Sequence, residues 1–197
     1  VISGATAIAR FPFAHVPAGS WYYGAAAYAY NNGLFAGTTA TTFAPDMTMT
    51  RAMLVSVLWR LAGEPAPKGT NTFDDVPDGA WYTDAVTWAA ENGVVAGIGN
   101  GCFDPSGAVT REQTAVILFN YAQSKGYDVS ARADLSAFPD AGSVSDWAQD
   151  ALAWANASGL ISGAVRDTQT ILDPQGSASR AQVAMILMGY VEHVVNA

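Results

Sequence analysis

The sequence predicts an all-α domain built from three copies of one helix-loop-helix unit, with the second helix of each copy contributing to a central three-helix bundle. Three observations predict this. A set of markers recurs three times along the chain, each copy holds a helix apolar on one face, and each then holds a second helix apolar all round.

The markers come in a fixed order. Trp21, Trp81 and Trp147 stand 60 and 66 residues apart, and Arg51, Arg111 and Arg180 stand 60 and 69 apart. Between them Gly33, Gly93 and Gly159 each open a Gly-apolar-apolar-x-Gly unit that ends at Gly37, Gly97 and Gly163. Phe43-Ala44-Pro45, Phe103-Asp104-Pro105 and Leu172-Asp173-Pro174 follow, and Phe13, Phe73 and Phe138 precede the tryptophans. Self-similarity of this kind is the signature of a repeat architecture. The expected repeats are 11–63, 71–125 and 136–195, acting as one cooperative unit. Linkers fall at 64–72, which holds Pro65, Pro67 and Gly69, and at about 125–137.

Within a repeat the first helix follows the Trp. Trp81, Ala85, Trp88 and Ala89 fall at i, i+4, i+7 and i+8, which is one helical face. The counterparts are Trp21, Ala25, Tyr28 and Ala29, then Trp147, Ala151, Trp154 and Ala155. Thr83, Asp84, Thr87 and Glu91 occupy the opposite face, so this helix is expected on the outside. Asn92-Gly93 and its counterparts should end it in a left-handed cap.

The second helix starts at Thr110-Arg111-Glu112-Gln113, with copies at Thr50-Arg51-Ala52-Met53 and Ser179-Arg180-Ala181-Gln182. The hydroxyl of the first residue can accept from the third helical N–H. Gln113 and Gln182 can reach back to the cap's own N–H, completing a capping box that Met53 cannot form. The runs that follow, such as Val116-Ile117-Leu118-Phe119, are apolar on every side, which is the pattern of a buried helix. Buried helices are therefore predicted over 50–62, 110–124 and 179–194.

Composition narrows the function. The 197 residues are half hydrophobic and 13% charged, as in a globular chain, and suffice to bury roughly 70% of the unfolded surface. A net charge of −8 argues against nucleic acid, which needs a basic stripe. Cys102 is the single cysteine, so it forms no internal disulfide and no zinc cluster. His15 and His193 read as bystanders, and no metal or cofactor is implied. No apolar run reaches membrane-spanning length. Neither a nucleophile-base constellation nor a facing pair of carboxylates is singled out, so no enzyme is expected. A chain opening on Val1 reads as a processed chain or an excised domain.

The three arginines are the unusual feature. A cation in the first turn of a helix opposes the macrodipole by about 0.3–1 kcal/mol. Three at equivalent positions call for an anion, either a bound carboxylate or phosphate, or a structural partner such as Asp46 or Asp104. Trp21, Trp81 and Trp147 read as core or groove wall. Gly97, Gly99 and Gly101 read as turn residues that also allow a ligand close to the backbone.

The ordered run Phe73-Asp74-Asp75-Val76, Trp81-Tyr82, Ala85-Val86, Gly93-Val94-Val95-Ala96-Gly97, Gly99-Asn100-Gly101, Phe103-x-Pro105 and Thr110-Arg111-Glu112 resembles an S-layer homology repeat. The chain resembles a complete set of three, over roughly residues 11–195. The resemblance implies a pseudo-threefold bundle that anchors a larger, extracellular surface protein to the bacterial cell wall. It implies an anionic, often pyruvylated, secondary cell-wall polysaccharide as partner, held in grooves between repeats. Arg51, Arg111, Arg180, Trp21, Trp81, Trp147, Gly97, Gly99 and Gly101 become the candidate glycan-binding residues. A self-assembly or protein-interaction module on the same fold is the alternative. The chain departs from the family in four ways. Met53, Gln113 and Gln182 replace the motif's Glu, His15 stands where repeat two has Asp75, Thr38 to Thr42 stand where repeat two has the Gly-Asn-Gly turn, and repeat three has a longer loop around Arg166 and Asp167. Repeat two departs least, so grooves using its residues are expected to be competent.

Overall fold

The computed structural model describes residues 11–196. Six α-helices follow in order: α1 (Tyr23–Asn31), α2 (Arg51–Leu61), α3 (Thr83–Glu91), α4 (Arg111–Lys125), α5 (Gln149–Ala157) and α6 (Arg180–Tyr190). Three single-turn 3₁₀ segments lead into α5, and a π turn over Val191–Val195 extends α6.

The all-α expectation needs one correction. The long loop of repeat 3 is a hairpin of β1 (Ala164–Arg166) and β2 (Gln169–Ile171), paired antiparallel with Val165 opposite Thr170. Asp167 (φ 46°) and Thr168 (φ 74°) are both left-handed, as a tight two-residue hairpin turn requires. Arg166 Nη2 donates to Asp173 Oδ2 at 2.8 Å and pins the hairpin to the loop behind it.

The caps form as their residues dictate. Thr50, Thr110 and Ser179 accept from Met53, Gln113 and Gln182 N–H, and the reciprocal amide bond exists only for Gln113 (3.2 Å) and Gln182 (2.9 Å). At the other end of the first helices, Gly33, Gly93 and Gly159 are left-handed (φ 68° to 71°). Leu34, Val94 and Leu160 N–H then reach back to Ala29, Ala89 and Ala155. Gly33, Gly93 and Gly159 N–H donate to Tyr30, Ala90 and Asn156 O, and the two bonds together are the Schellman motif, which turns the chain sharply into each loop.

Packing runs between repeats. The close helix pairs are α3 on α2, α5 on α4 and α1 on α6, so each first helix covers the second helix of another repeat. No two second helices make up one of these closest pairs. α4 and α6 still meet through Tyr121 and Tyr190, whose rings lie 5.9 Å apart. The outer helices are wetted less than expected. Thr87, assigned to the solvent face, is buried because α3 has core on both flanks, and its hydroxyl donates to Thr83 O at 2.8 Å. One hydrophobic cluster runs through all three repeats.

Backbone bonds close the repeats into a cycle. Met49 N–H donates to Ala178 O, Ala178 N–H to Val109 O, and Val109 N–H back to Met49 O, at 2.9 to 3.0 Å. The first two N–H groups of each second helix follow suit. Arg51 and Ala52 donate to Gly107 and Pro105, Arg111 and Glu112 to Gly176 and Pro174, and Arg180 and Ala181 to Met47 and Pro45. Buried Glu112 adds a side-chain tie from repeat 2 to repeat 3, accepting from Ser145 N–H (3.0 Å) and Oγ (2.9 Å).

Candidate functional site: grooves between repeats

Each loop is held by one side chain at its start. Asp75 accepts from Phe103 and Asp104 N–H, and Asp140 accepts from Leu172 and Asp173 N–H, all at 2.7 to 2.8 Å. His15 in repeat 1 replaces the two-pronged acceptor with a single one, Nε2 to Phe43 N–H at 3.3 Å. Burial works to raise the Asp75 carboxyl, but these backbone donors and the nearby Arg51 together hold it below the usual range. Gly97 lies where a Cβ would fall 2.6 Å from Cys102 O and 3.0 Å from the Phe73 ring, so only glycine lets the loop close on that ring.

The three arginines are buried, at 6 to 7% exposure, and each reaches into the following repeat. Arg51 Nε donates to Phe103 O, Arg111 Nε to Leu172 O and Arg180 Nε to Phe43 O, each at 2.8 Å. Arg51 Nη2 also donates to Ala96 O (3.1 Å) and Arg180 Nη2 to Ala36 O (2.6 Å). Arg51 further stacks over Phe103, and Arg180 over Phe35 and Phe43. The expected ion pairs with Asp46 or Asp104 are not formed: loop carbonyls take the guanidinium instead. The first helix N–H groups, which a bound anion would need, are likewise occupied by carbonyls of the next repeat.

The arginines differ in electrostatic setting. Burial lowers all three pKa values. Asp104 and Asp75 offset this for Arg51, as Asp173 and Asp140 do for Arg111. Arg180 has no such relief, because repeat 1 holds Ala44 and His15 at those positions. Burial, with Arg60 nearby, pushes Arg180 down to about 10.

Two grooves share one plan. In one, of about 410 Å³, the 94–98 loop and α4 residues Gln113, Val116, Ile117 and Asn120 are flanked by Arg51 from repeat 1 and Trp147 from repeat 3. In the other, of about 160 Å³, the 35–38 loop, Met47, Met49 and α2 residues Met53, Val57 and Arg60 are flanked by Arg180 and Trp81. The structure thus brings Arg51, Gly97 and Trp147 together, and Arg180 with Trp81. Gly99 (φ 108°) and Gly101 (φ 74°) form the turn beyond the groove lining. Arg111 and Trp21 line neither groove. The three tryptophans are exposed (57 to 65%), which places them at the surface and not in the core.

Arg60 and Asn120 escaped the sequence reading. They occupy the same repeat position, nine residues after Arg51 and Arg111, and each binds the first loop carbonyl: Arg60 Nη1 to Leu34 O (3.1 Å), Asn120 Nδ2 to Val94 O (3.3 Å). Aligning the repeats through the helix, beyond its start, would have paired them.

A three-repeat helical domain with grooves at the repeat junctions defines the class, and comparison with known proteins gives the family. The S-layer homology domain matches residues 12–52, 72–115 and 137–184, and the chain belongs to that family. It is 32% identical over 160 residues to an amylopullulanase of Thermoanaerobacterium thermosulfurigenes, covering 79% of this chain and 8% of that protein. It is also 32% identical over 162 residues to the surface-layer 125 kDa protein of Lysinibacillus sphaericus, covering 82% and 13%. The chain therefore spans a small fraction of the length of these relatives. An undecaheme cytochrome from the S-layer of Carboxydothermus ferrireducens overlays loosely, with a TM-score of 0.39 and 21% identity, over 75% of this chain and 22% of that one. No helix among the described residues is long and apolar enough to cross a membrane.

Proposed function

We propose that this chain is a non-catalytic anchoring module of a larger surface protein, acting outside the cell on an anionic cell-wall polysaccharide such as a pyruvylated one. Its three repeats, 11–63, 71–125 and 136–195, work as one cooperative unit in a pseudo-threefold arrangement, with the second helices at its centre. The observation that carries this reading is the common build of the two grooves, each with a buried Arg on one side and an exposed Trp on the other. A pyranose can stack on the indole while guanidinium N–H groups meet a carboxylate. Gly97 keeps the groove wall low enough for the ring to touch backbone, with Gly99 and Gly101 shaping the turn above it. Arg111 and Trp21 would flank the third junction, where the hairpin takes the place of the open loop. The relatives support the reading, since an amylopullulanase and a surface-layer protein share the module while their names describe different jobs.

The test is cosedimentation of the chain with purified cell walls, before and after the secondary polysaccharide is stripped with hydrofluoric acid. Binding should be lost on stripping. Equal binding to stripped and unstripped walls would overturn the reading. Self-assembly is the second reading, favoured by exposed Trp21, Trp81, Trp147 and Ile98. Sedimentation velocity without glycan decides it, through growth of the particle with concentration.

A further inference from the structure

The two grooves share a plan but not a charge. The 160 Å³ groove carries Arg60 and Arg180, and its wall holds no Asp or Glu. Its remaining side chains are largely apolar, including Met47, Met49 and Met53. The 410 Å³ groove carries Arg51 alone, with amides Gln113 and Asn120 where the other has Met53 and Arg60. The loop acids behind the groove arginine also differ. Asp75 and Asp104 stand behind Arg51, whereas His15 and Ala44 hold those positions in the loop behind Arg180.

Building on the glycan reading, we infer that the two grooves take different sugars: the Arg60–Arg180 groove selects an acidic unit, and the Arg51 groove an uncharged one. Among the bonds formed by the described residues, Arg60 uses Nη1 and Arg180 uses Nε and Nη2. Arg60 Nε has Glu64 at 4.0 Å, and Glu64 does not line the groove. Each guanidinium therefore keeps an amine edge, Nη2 on Arg60 and Nη1 on Arg180, for a carboxylate. A carboxylate there also removes the repulsion between two cations, a gain the Arg51 groove cannot offer. The methionines suit the methyl group of a ketal-linked carboxylate. In the other groove the amides of Gln113 and Asn120 both donate and accept, which matches hydroxyl and acetamido groups. Arg60 is then the specificity-determining residue, and the module reads two kinds of unit along one polymer.

Each groove carries its own reporter, since Trp81 flanks the first and Trp147 the second. The indole N–H signals of the six tryptophans in a ¹⁵N-labelled chain, assigned by Trp→Phe variants, separate the two. The probes are an N-acetylhexosamine methyl glycoside bearing a carboxyethylidene ketal, and its methyl ester. At Trp81 the acid should bind about tenfold tighter than the ester, the size of one charge-assisted contact. At Trp147 the two should bind alike. Arg60→Asn copies repeat 2 and keeps a donor for Leu34 O. It should bring the acid-to-ester ratio at Trp81 to about one. Asn120→Arg should raise the ratio at Trp147. Equal ratios at both reporters in the wild type, or a ratio at Trp81 unmoved by Arg60→Asn, overturn the inference while the anchoring function stands. Silence of both reporters towards both probes, with no cosedimentation with intact walls, overturns the glycan reading and this inference together.

Discussion

Ala44 and Met47 stand in repeat 1 where repeats 2 and 3 hold Asp104 with Gly107 and Asp173 with Gly176. The first member of each pair has a left-handed backbone, at φ 53°, 59° and 51°. That conformation costs an alanine roughly 1–2 kcal/mol and is eased for Asp, whose side chain bonds locally. The glycines are there because of the carboxylates. A Cβ on Gly107 would lie 2.0 Å from Asp104 Oδ2, and one on Gly176 would lie 2.2 Å from Asp173 Oδ2. Ala44→Asp alone should therefore force a carboxylate against the Met47 Cβ and destabilise the domain by about 1–3 kcal/mol. Met47→Gly alone should cost about 1 kcal/mol through backbone entropy. Together they should recover most of that loss, because the carboxylate finds its space and sits in the field of Arg180. The favourable coupling between the two changes should be about 1–3 kcal/mol. Urea midpoints of the wild type, both single variants and the double variant, compared at equal slope, give that coupling directly. A coupling smaller than about 0.5 kcal/mol would refute the reasoning.

Arg111→Ala should cost about 2–3 kcal/mol in urea unfolding, because it leaves Leu172 O without its charged donor at a buried junction. A loss under about 0.5 kcal/mol would make Arg111 a surface residue in energetic terms. For Asp75 the folded pKa is depressed, so its contribution is complete above the unfolded value of about 3.9 and is lost as pH falls through the folded one. The stability gap between wild type and Asp75→Asn should be flat from about pH 8 to 5 and shrink below about pH 4, and a gap that widens in acid would contradict the sign. Met53→Gln should complete the missing capping box of α2, adding about 0.5 kcal/mol and about 1–2 °C to the melting temperature. A lowered melting temperature would show that Met53 contributes more as groove wall than Gln does as cap.

Local rules were legible along the chain. Thr110 with Gln113, Ser179 with Gln182 and the three cap glycines act within one helical turn, so spacing alone predicts their bonds. The cap that Met53 cannot complete was legible for the same reason. The arginines were found but their bonds were not, because the acceptors lie 52, 61 and 137 residues away and are backbone carbonyls that leave no mark in the sequence. The hairpin was hidden because its turn is Asp167-Thr168, without the glycine that normally marks two left-handed residues in succession. Thr87 misled because a threonine can turn its hydroxyl back onto its own helix and be buried at little cost. The grooves were placed between repeats by family resemblance, while Arg60 and Asn120 were passed over as ordinary residues of an apolar helix.

The cycle of bonds through Met49, Ala178 and Val109 bears on how the three repeats respond to a pull. In a linear array each unit touches only its neighbours, so tension can peel units away from an end one after another. Here the donors of the last repeat are received by the first: Arg180 grips Phe43 across 137 residues of sequence. The described domain has no outermost repeat for a pull to start on. Separating any one repeat breaks its bonds with both of the others, and the core they share opens with them. A fourth copy could join only by prising this closed set apart.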